Sequence, residues 1–355
     1  MSGNNQSERG ENMKLSVVIT LYNKEPYLRD LFVSLLRQGM KDGEYEVILV
    51  NDGSTDGTES ICREFIAQHP NLNVKYKYQV NQGVSVARNV GIEMAEGEYI
   101  HFLDCDDYML DNSYSYILSR WGNQGFDYIG FGLRMVDLRN GEESRIDTQL
   151  SYGHEIEQLS GFRLIVETRW PSSSVAGLYR TSFLKSNDIC FPSGIIVGED
   201  VWFNSDFFIK SPSCVLTSCR PYVYKFHSGS TMNTVSSLRA EKWFSSYYCL
   251  FVHLVDYKRN TPPCKDSEGI SKGIGKVINH HISVFIPKAL RFRIPAERFN
   301  YWAEKFVQAR IIPAPSKGLS IKVANYVFQH PHTYPFLSWC CVNIFYRFIY
   351  NWFHK

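Results

Sequence analysis

Asp104-Cys105-Asp106-Asp107 sets three carboxylates within four residues, directly after the apolar run Tyr99-Ile100-His101-Phe102-Leu103. Carboxylates this close repel one another and are costly to desolvate, so such a run is usually tolerated where something cationic sits. Hard oxygen donors on a loop suit Mg²⁺ or Mn²⁺, ions that commonly bridge protein carboxylates to phosphate. The same residues also read as an acidic turn, with Asp107 or Asp111 capping the next helix. Taken alone, the run leaves these two readings balanced.

Four other places carry residue types that could do chemistry. Asn51-Asp52-Gly53-Ser54-Thr55-Asp56-Gly57 is dense in side chains that bond their own backbone, and it reads first as a helix cap. Arg88 lies in a helical stretch with no acid four residues away, so it is either solvated or a bidentate donor to phosphate oxygens. Glu199-Asp200 precedes Trp202, Phe203 and Phe207. The pair is either a dipole-favoured helix start or a general base whose pKa is raised by burial against those aromatics. His227 follows a strand-like segment and is either a structural histidine or a ligand.

The elements that must position these groups alternate in type. Leu15–Leu21 is a β-branched strand, followed by the loop Tyr22-Asn23-Lys24 and by a helix started by Pro26, with Leu28, Leu31, Phe32, Leu35 and Leu36 on one face. Tyr45–Val50 is a second strand, and Ile61, Phe65 and Ile66 mark the helix after it. Val74–Gln79 is a third, and the segment Asn81–Gly91 opens the helix that leads to the strand before Asp104. Strand and helix in this order predict parallel strands with right-handed crossovers, a Rossmann-like α/β half. In a parallel sheet the loops at Tyr22-Asn23, Asn51-Asp52 and Asp104–Asp107 emerge on one edge, where α/β sheets bind ligands. Further on, 132–151 reads as a hairpin or irregular loop, 155–168 as a helix, 172–183 as a return to the sheet, and 221–226 as a strand. From Ser236 the pattern is helical, aromatic and basic, broken at Pro262-Pro263, Pro287, Pro295 and Pro313-Ala314-Pro315.

Composition narrows the class. The chain has 355 residues, 44% of them hydrophobic and 21% charged, enough for a sizeable core and a second domain or appendage. The net charge of +2 conceals an asymmetry: after Glu304 come only cations, Lys305, Arg310, Lys317, Lys322, Arg347 and Lys355. The body before them is net acidic, which argues against a nucleic-acid partner. Nine cysteines without C-x-x-C spacing argue against a disulfide framework and a zinc site, and fit a reducing cytoplasm. No signal peptide is apparent; residues 1–12 are polar and read as disordered, with Met13 a possible alternative start.

Together these segments resemble the inverting, nucleotide-sugar-dependent glycosyltransferases of family 2. The resemblance rests on Val17-Val-Ile-Thr-Leu-Tyr-Asn23, Val50-Asn-Asp-Gly-Ser-Thr-Asp56, Asn81-x-Gly-x-Ser-x-Ala-Arg-Asn-x-Gly91, Phe102-Leu-Asp-Cys-Asp-Asp107, Gly198-Glu-Asp200 and Tyr224-Lys-Phe-His-Ser-Gly-Ser230, which occur in the family's order over residues 15–231. It implies a GT-A fold, a Rossmann-like, mixed but mainly parallel sheet flanked by helices. It implies a catalytic domain over 13–235, with 236–355 as a C-terminal helical extension. It also supplies roles. Thr20, Tyr22 and Asp52 would hold the base of a UDP-sugar, with Asn23 and Gly83 beside them, and Arg88 would approach the diphosphate. Asp104 would contact ribose or sugar, and Asp106 would bind Mg²⁺ or Mn²⁺, with Asp107 and His227 as rival or additional ligands. Asp200 would be the base that activates an acceptor hydroxyl, supported by Glu199. The acceptor class is a glycan or lipid-linked sugar of the cell surface, reached from the cytoplasm.

Two alternatives come from other classes. A nucleotidylyltransferase would need a Gly-rich cationic loop after the first strand, which Leu21-Tyr22-Asn23-Lys24 lacks. A binding-only scaffold would be expected to have lost an acid, yet Asp106, Asp107, Glu199 and Asp200 are all present. The tail adds a question of its own. Over 336–354, helical spacing puts Leu337, Cys341, Val342, Ile344, Phe345, Phe348, Ile349, Trp352 and Phe353 on one arc, opposite Asn343, Arg347, Tyr350, Asn351 and His354. Arg347 argues against a membrane-spanning helix. The face either packs on the protein or rests on the inner face of the cytoplasmic membrane, the second favoured by the run of cations.

Overall fold

A computed structural model describes residues 13–137, 157–167, 169–226, 237–260, 267–291, 294–311 and 319–335. The segment 15–103 folds as its alternation dictates. Strands β1 (Leu15–Leu21), β2 (Tyr45–Asp52), β3 (Asn73–Gln79) and β4 (Tyr99–Phe102) are parallel and lie in the order β3-β2-β1-β4. β1 and β2 are buried almost throughout, as strands covered on both faces must be, and their sequences are accordingly continuous apolar runs. β3, at the edge, is only partly covered and carries Lys75 and Lys77, charges that discourage further strand pairing.

The helices between them bury the faces that their spacing marks. α1 (Leu28–Leu36) buries Leu28, Leu31, Phe32 and Leu35, while Leu36 is exposed. α2 (Thr58–Gln68) stacks Phe65 on Phe32 with ring centroids 4.0 Å apart. α3 (Val84–Met94) lies so close to β1 that a Cβ on Gly91 would fall 2.2 Å from Val18 Cγ1.

Beyond β4 the sheet becomes mixed. β6 (Tyr128–Gly130), β8 (Glu157–Leu159), β9 (Gly177–Arg180) and β10 (Cys214–Leu216) extend it in the order β4-β9-β6-β10-β8, with β9 antiparallel to both its neighbours. A three-stranded second sheet joins β5 (Tyr108–Met109), β11 (Tyr222–Phe226) and β7 (Leu133–Asp137). Two sequence expectations change here. Residues 157–159 form a strand paired with β10, so the helix expected over 155–168 shrinks to α5 (Gly161–Val166). Residues 133–137, expected in a hairpin or irregular loop, pair in parallel with β11, so their partner lies far along the chain. The rest of the 132–151 segment lies outside the described residues.

The described residues divide into two compact units. The first draws its described residues from 13–164, 169–194 and 203–226; the second draws its own from 165–167, 195–202 and 237–335. After α4 (Ser113–Trp121) and α6 (Thr181–Ser186), α7 (Glu199–Lys210) contributes its first turn to the second unit and the remainder to the first. The second unit is otherwise helical: α8 (Ser237–Asn260), α9 (Ser267–Arg291), α10 (Ala296–Gln308) and α11 (Leu319–Gln329). Its core gathers Trp243, Phe244, Tyr247 and Phe251 of α8 with Phe299, Trp302 and Phe306 of α10, at helical spacing. Pro287, expected as a break, lies inside α9. No helix among the described residues is long and apolar enough to cross a membrane. The amphipathic arc over 336–354 lies outside the described residues.

Candidate active site

The loop after β1 is held by the loop after β2. Asn23 adopts φ +52, a left-handed conformation that Asn tolerates better than most residues. Its N–H donates to Ser54 Oγ (3.0 Å) and its Oδ1 accepts the Thr55 N–H (2.8 Å). The Lys24 N–H donates to Thr58 Oγ1 (3.0 Å), and the Gly57 N–H donates to Glu25 Oε2 (2.8 Å). The Asn51–Gly57 turn meets the first residue of its own helix, where Asp56 Oδ1 accepts the Thr58 N–H (3.0 Å). It is also the clamp that shapes the first loop.

Asp52 ties the second loop to the third. It is buried, and its Oδ1 accepts from Gln79 Nε2 (2.7 Å) and the Gln82 N–H (2.8 Å), while Oδ2 accepts the Gly83 N–H (2.8 Å). Gly53, at φ +77, would place a Cβ 2.8 Å from the Asn81 nitrogen, so this contact excludes any larger residue. Leu21, Asn51 and Tyr78 are in register across three strands. Asp52 pairs with Gln79 at the next position, and Tyr22, half exposed, follows the last residue of β1. Thr20 sits one position before the end of β1, partly covered.

The acidic run separates into three different carboxylates. Asp104 Oδ1 accepts from Arg88 Nη2 at 3.0 Å; that guanidinium is 5% exposed and lies 5.0 Å over the Phe191 ring. Arg88 thus orients Asp104 from within the protein. Asp106 Oδ2 accepts from Lys24 Nζ at 2.7 Å. Burial opposes the Lys24 charge, but Cys105, then Asp106 and Asp104, outweigh burial and hold its pKa above the ordinary lysine value.

Asp107 is turned inward by the bend that bonds its N–H to the Asp104 carbonyl. It is 1% exposed, with Tyr222 Oη donating to Oδ2 and the Lys225 N–H donating to Oδ1 (2.8 Å). Burial, with the charge of Asp104 next, pushes its carboxyl well above the usual range. Asp107 is thus far more enclosed than Asp106, whose side chain is one-fifth exposed. Under the loop, His101 is fully buried between the Tyr114 hydroxyl (2.7 Å) and the Val175 carbonyl (3.1 Å), and burial lowers its pKa to about 4. It is a neutral core histidine.

Glu199 and Asp200 belong to the second unit and are partly exposed, not buried as their aromatic flank suggested. Gly198, at φ +84, starts the turn; its Cβ would meet Leu250 Cδ2 at 2.9 Å. Trp202 stacks on His253 with centroids 3.9 Å apart. Tyr247, buried and next to the Glu199 charge, has its hydroxyl pushed up to about 12. Phe203 and Phe207, by contrast, pack in the aromatic core of the first unit around Tyr179.

Residues 16–184, which carry all three loops, match the family model described as "Glycosyl transferase family 2". That segment belongs to family 2. Among curated relatives, the poly(ribitol-phosphate) beta-N-acetylglucosaminyltransferase TarS of Staphylococcus aureus (strain Mu50) is 30% identical over 84% of this chain and 50% of its own length. The minor teichoic acid biosynthesis protein GgaB of Bacillus subtilis is 26% identical over 72% of this chain and 28% of its own. The chain therefore spans half or less of the length of these relatives. A crystal structure of S. aureus TarS 1–349 with UDP-GlcNAc superposes with a TM-score of 0.70 at 22% identity, covering 94% of this chain and 92% of that one. At that identity the likeness shows the fold, which is GT-A.

Within the family 2 segment the structure gathers Thr20, Tyr22, Asn23, Asp52, Gly83, Arg88, Asp104 and Asp106 at the carboxyl ends of β1, β2, β3 and β4. Glu199 and Asp200 lie beyond that segment, and His227 lies outside the described residues. Sequence reasoning missed Lys24, Gln79 and Tyr222. A cation in the loop beside Tyr22-Asn23 was a usable signal for Lys24. Nothing local marks Tyr222, since its partner Asp107 is 115 residues away.

Proposed function

We propose that this chain transfers a sugar from a UDP-sugar to a hydroxyl of a cell-surface polyol-phosphate polymer, with inversion at the anomeric carbon. The observation that carries the reading is the sheet edge itself, where the loops after three strands are bonded to one another and end in Asp52, Asp104 and Asp106. Asp52, oriented by Gln79 and two backbone N–H groups, presents a carboxylate toward the imide N–H of uracil, flanked by Tyr22 and Thr20. Asp104, held by Arg88, contacts ribose or sugar hydroxyls. The acceptor class is supported by relatives named for poly(ribitol-phosphate) transfer from S. aureus and Bacillus spizizenii.

The donor set fits a divalent cation at Asp106. One of its oxygens already receives a cation, the Lys24 ammonium, so the position holds positive charge. No group of three or more protein ligands is found among the described residues. Mg²⁺ and Mn²⁺ are commonly held by one or two carboxylates plus substrate phosphates. Asp106 would hold it, and when bound it offsets charge on the departing diphosphate. Asp200 accepts the proton of the acceptor hydroxyl as that oxygen attacks the anomeric carbon, and Glu199 supports it.

The test is a donor panel on the full chain, reading released UDP with Mn²⁺, with Mg²⁺ or with excess EDTA, with and without poly(ribitol phosphate). UDP release that needs the divalent ion and rises with the polymer is expected. Full activity in EDTA removes the cation role, and silence with every UDP-sugar removes the donor class.

A further inference from the structure

Lys24 bonds one oxygen of Asp106, the carboxylate assigned above to a divalent cation. Its Nζ lies 2.7 Å from Asp106 Oδ2, and both side chains are about one-fifth exposed. The backbone of Lys24 is fixed by the Thr58 hydroxyl, so a change of partner would fall to its four-methylene side chain alone. An ammonium and a divalent ion cannot share one carboxylate oxygen, because two cations that close repel strongly in a partly desolvated loop. The other acids do not make up the lost charge: Asp104 faces Arg88, and Asp107 faces Tyr222 and the Lys225 N–H.

Building on the donor and cation reading above, we propose that Lys24 is a resident counter-ion that keeps divalent cations off Asp106 until a diphosphate arrives. The diphosphate brings the negative charge that the loop lacks. It draws the ammonium away from Asp106 to its own oxygens, and the released carboxylate takes the cation. Cation and nucleotide then bind as a pair, and by linkage each raises the affinity of the other. The free enzyme is spared a tightly held metal, and Lys24 becomes a donor to the leaving group.

The experiment measures Mn²⁺ binding to the full chain by electron paramagnetic resonance of the free ion, with and without UDP and with no acceptor, so that no turnover is read. The wild type is expected to bind Mn²⁺ weakly alone and roughly tenfold or more tightly with UDP. Lys24→Met is expected to bind Mn²⁺ alone roughly five- to tenfold tighter than the wild type, as loss of a partly buried competing cation allows, and to lose most of the UDP enhancement. Lys24→Arg, which keeps the charge, should resemble the wild type. Asp106→Asn should bind no Mn²⁺ under either condition. If Asp106→Asn is silent but Lys24→Met binds Mn²⁺ no better than the wild type, the counter-ion proposal is overturned. If Asp106→Asn binds as the wild type does, the cation assignment itself is wrong.

Discussion

The Tyr222 hydroxyl donates to Asp107 across 115 residues of chain, and both side chains are buried. This bond, with the Lys225 N–H on the other oxygen, fastens the acidic loop to the second sheet. Tyr222→Phe leaves a buried carboxylate oxygen without its donor, which costs about 1–3 kcal/mol. Chemical denaturation should show that loss. Unchanged stability would mean that the hydroxyl does not hold the loop.

The proposed general base gives a sharper expectation. Asp200→Asn should retain UDP-sugar affinity and lose transfer by roughly 10²-fold or more, and Glu199→Gln should lose less. Titration of donor binding beside steady-state rates separates the two effects. A near-native kcat in Asp200→Asn would place the base elsewhere.

Gly91 poses two opposing effects. Replacing a helical glycine by alanine gains about 1 kcal/mol in propensity. The added Cβ, however, would fall 2.2 Å from Val18 Cγ1 in the sheet core, and overpacking of that kind costs about 1–3 kcal/mol. Overpacking should win, so Gly91→Ala is expected to lower the melting temperature. A rise in melting temperature would show that α3 can shift away from β1.

His101 should leave a signature in pH. Its folded pKa of about 4 lies below the ordinary 6.5, so the unfolded chain binds the proton more readily. Stability carried by the neutral ring is present above pH 6.5 and is lost as pH falls toward 4, by up to about 3 kcal/mol. A His101→Gln variant, compared by denaturation at pH 7 and pH 4.5, should lose less stability on acidification than the wild type. Equal losses would assign acid sensitivity to other groups.

Much of this protein is legible in its order of residues. The parallel β1–β4 half follows from apolar strands alternating with amphipathic helices, because both signals are local and repeat with fixed periods. The placing of Tyr22, Asp52 and Asp104 at one edge follows too, since parallel strands send their following loops the same way. Where that periodicity ends, so does legibility: β7 pairs with β11, and β8 with β10, through contacts that no nearby residue encodes.

The division of labour among the acids was decided only by the tertiary structure. In sequence Asp104, Asp106 and Asp107 are interchangeable, three carboxylates within four residues. Folding gives each a different partner: Arg88 from α3, Lys24 from the loop after β1, Tyr222 from β11. Spacing along a chain sets how far apart side chains begin, but not which way a turn points them or which charge waits there. A carboxylate's chemistry depends on that direction and that neighbour, and both come from segments 16, 82 and 115 residues away.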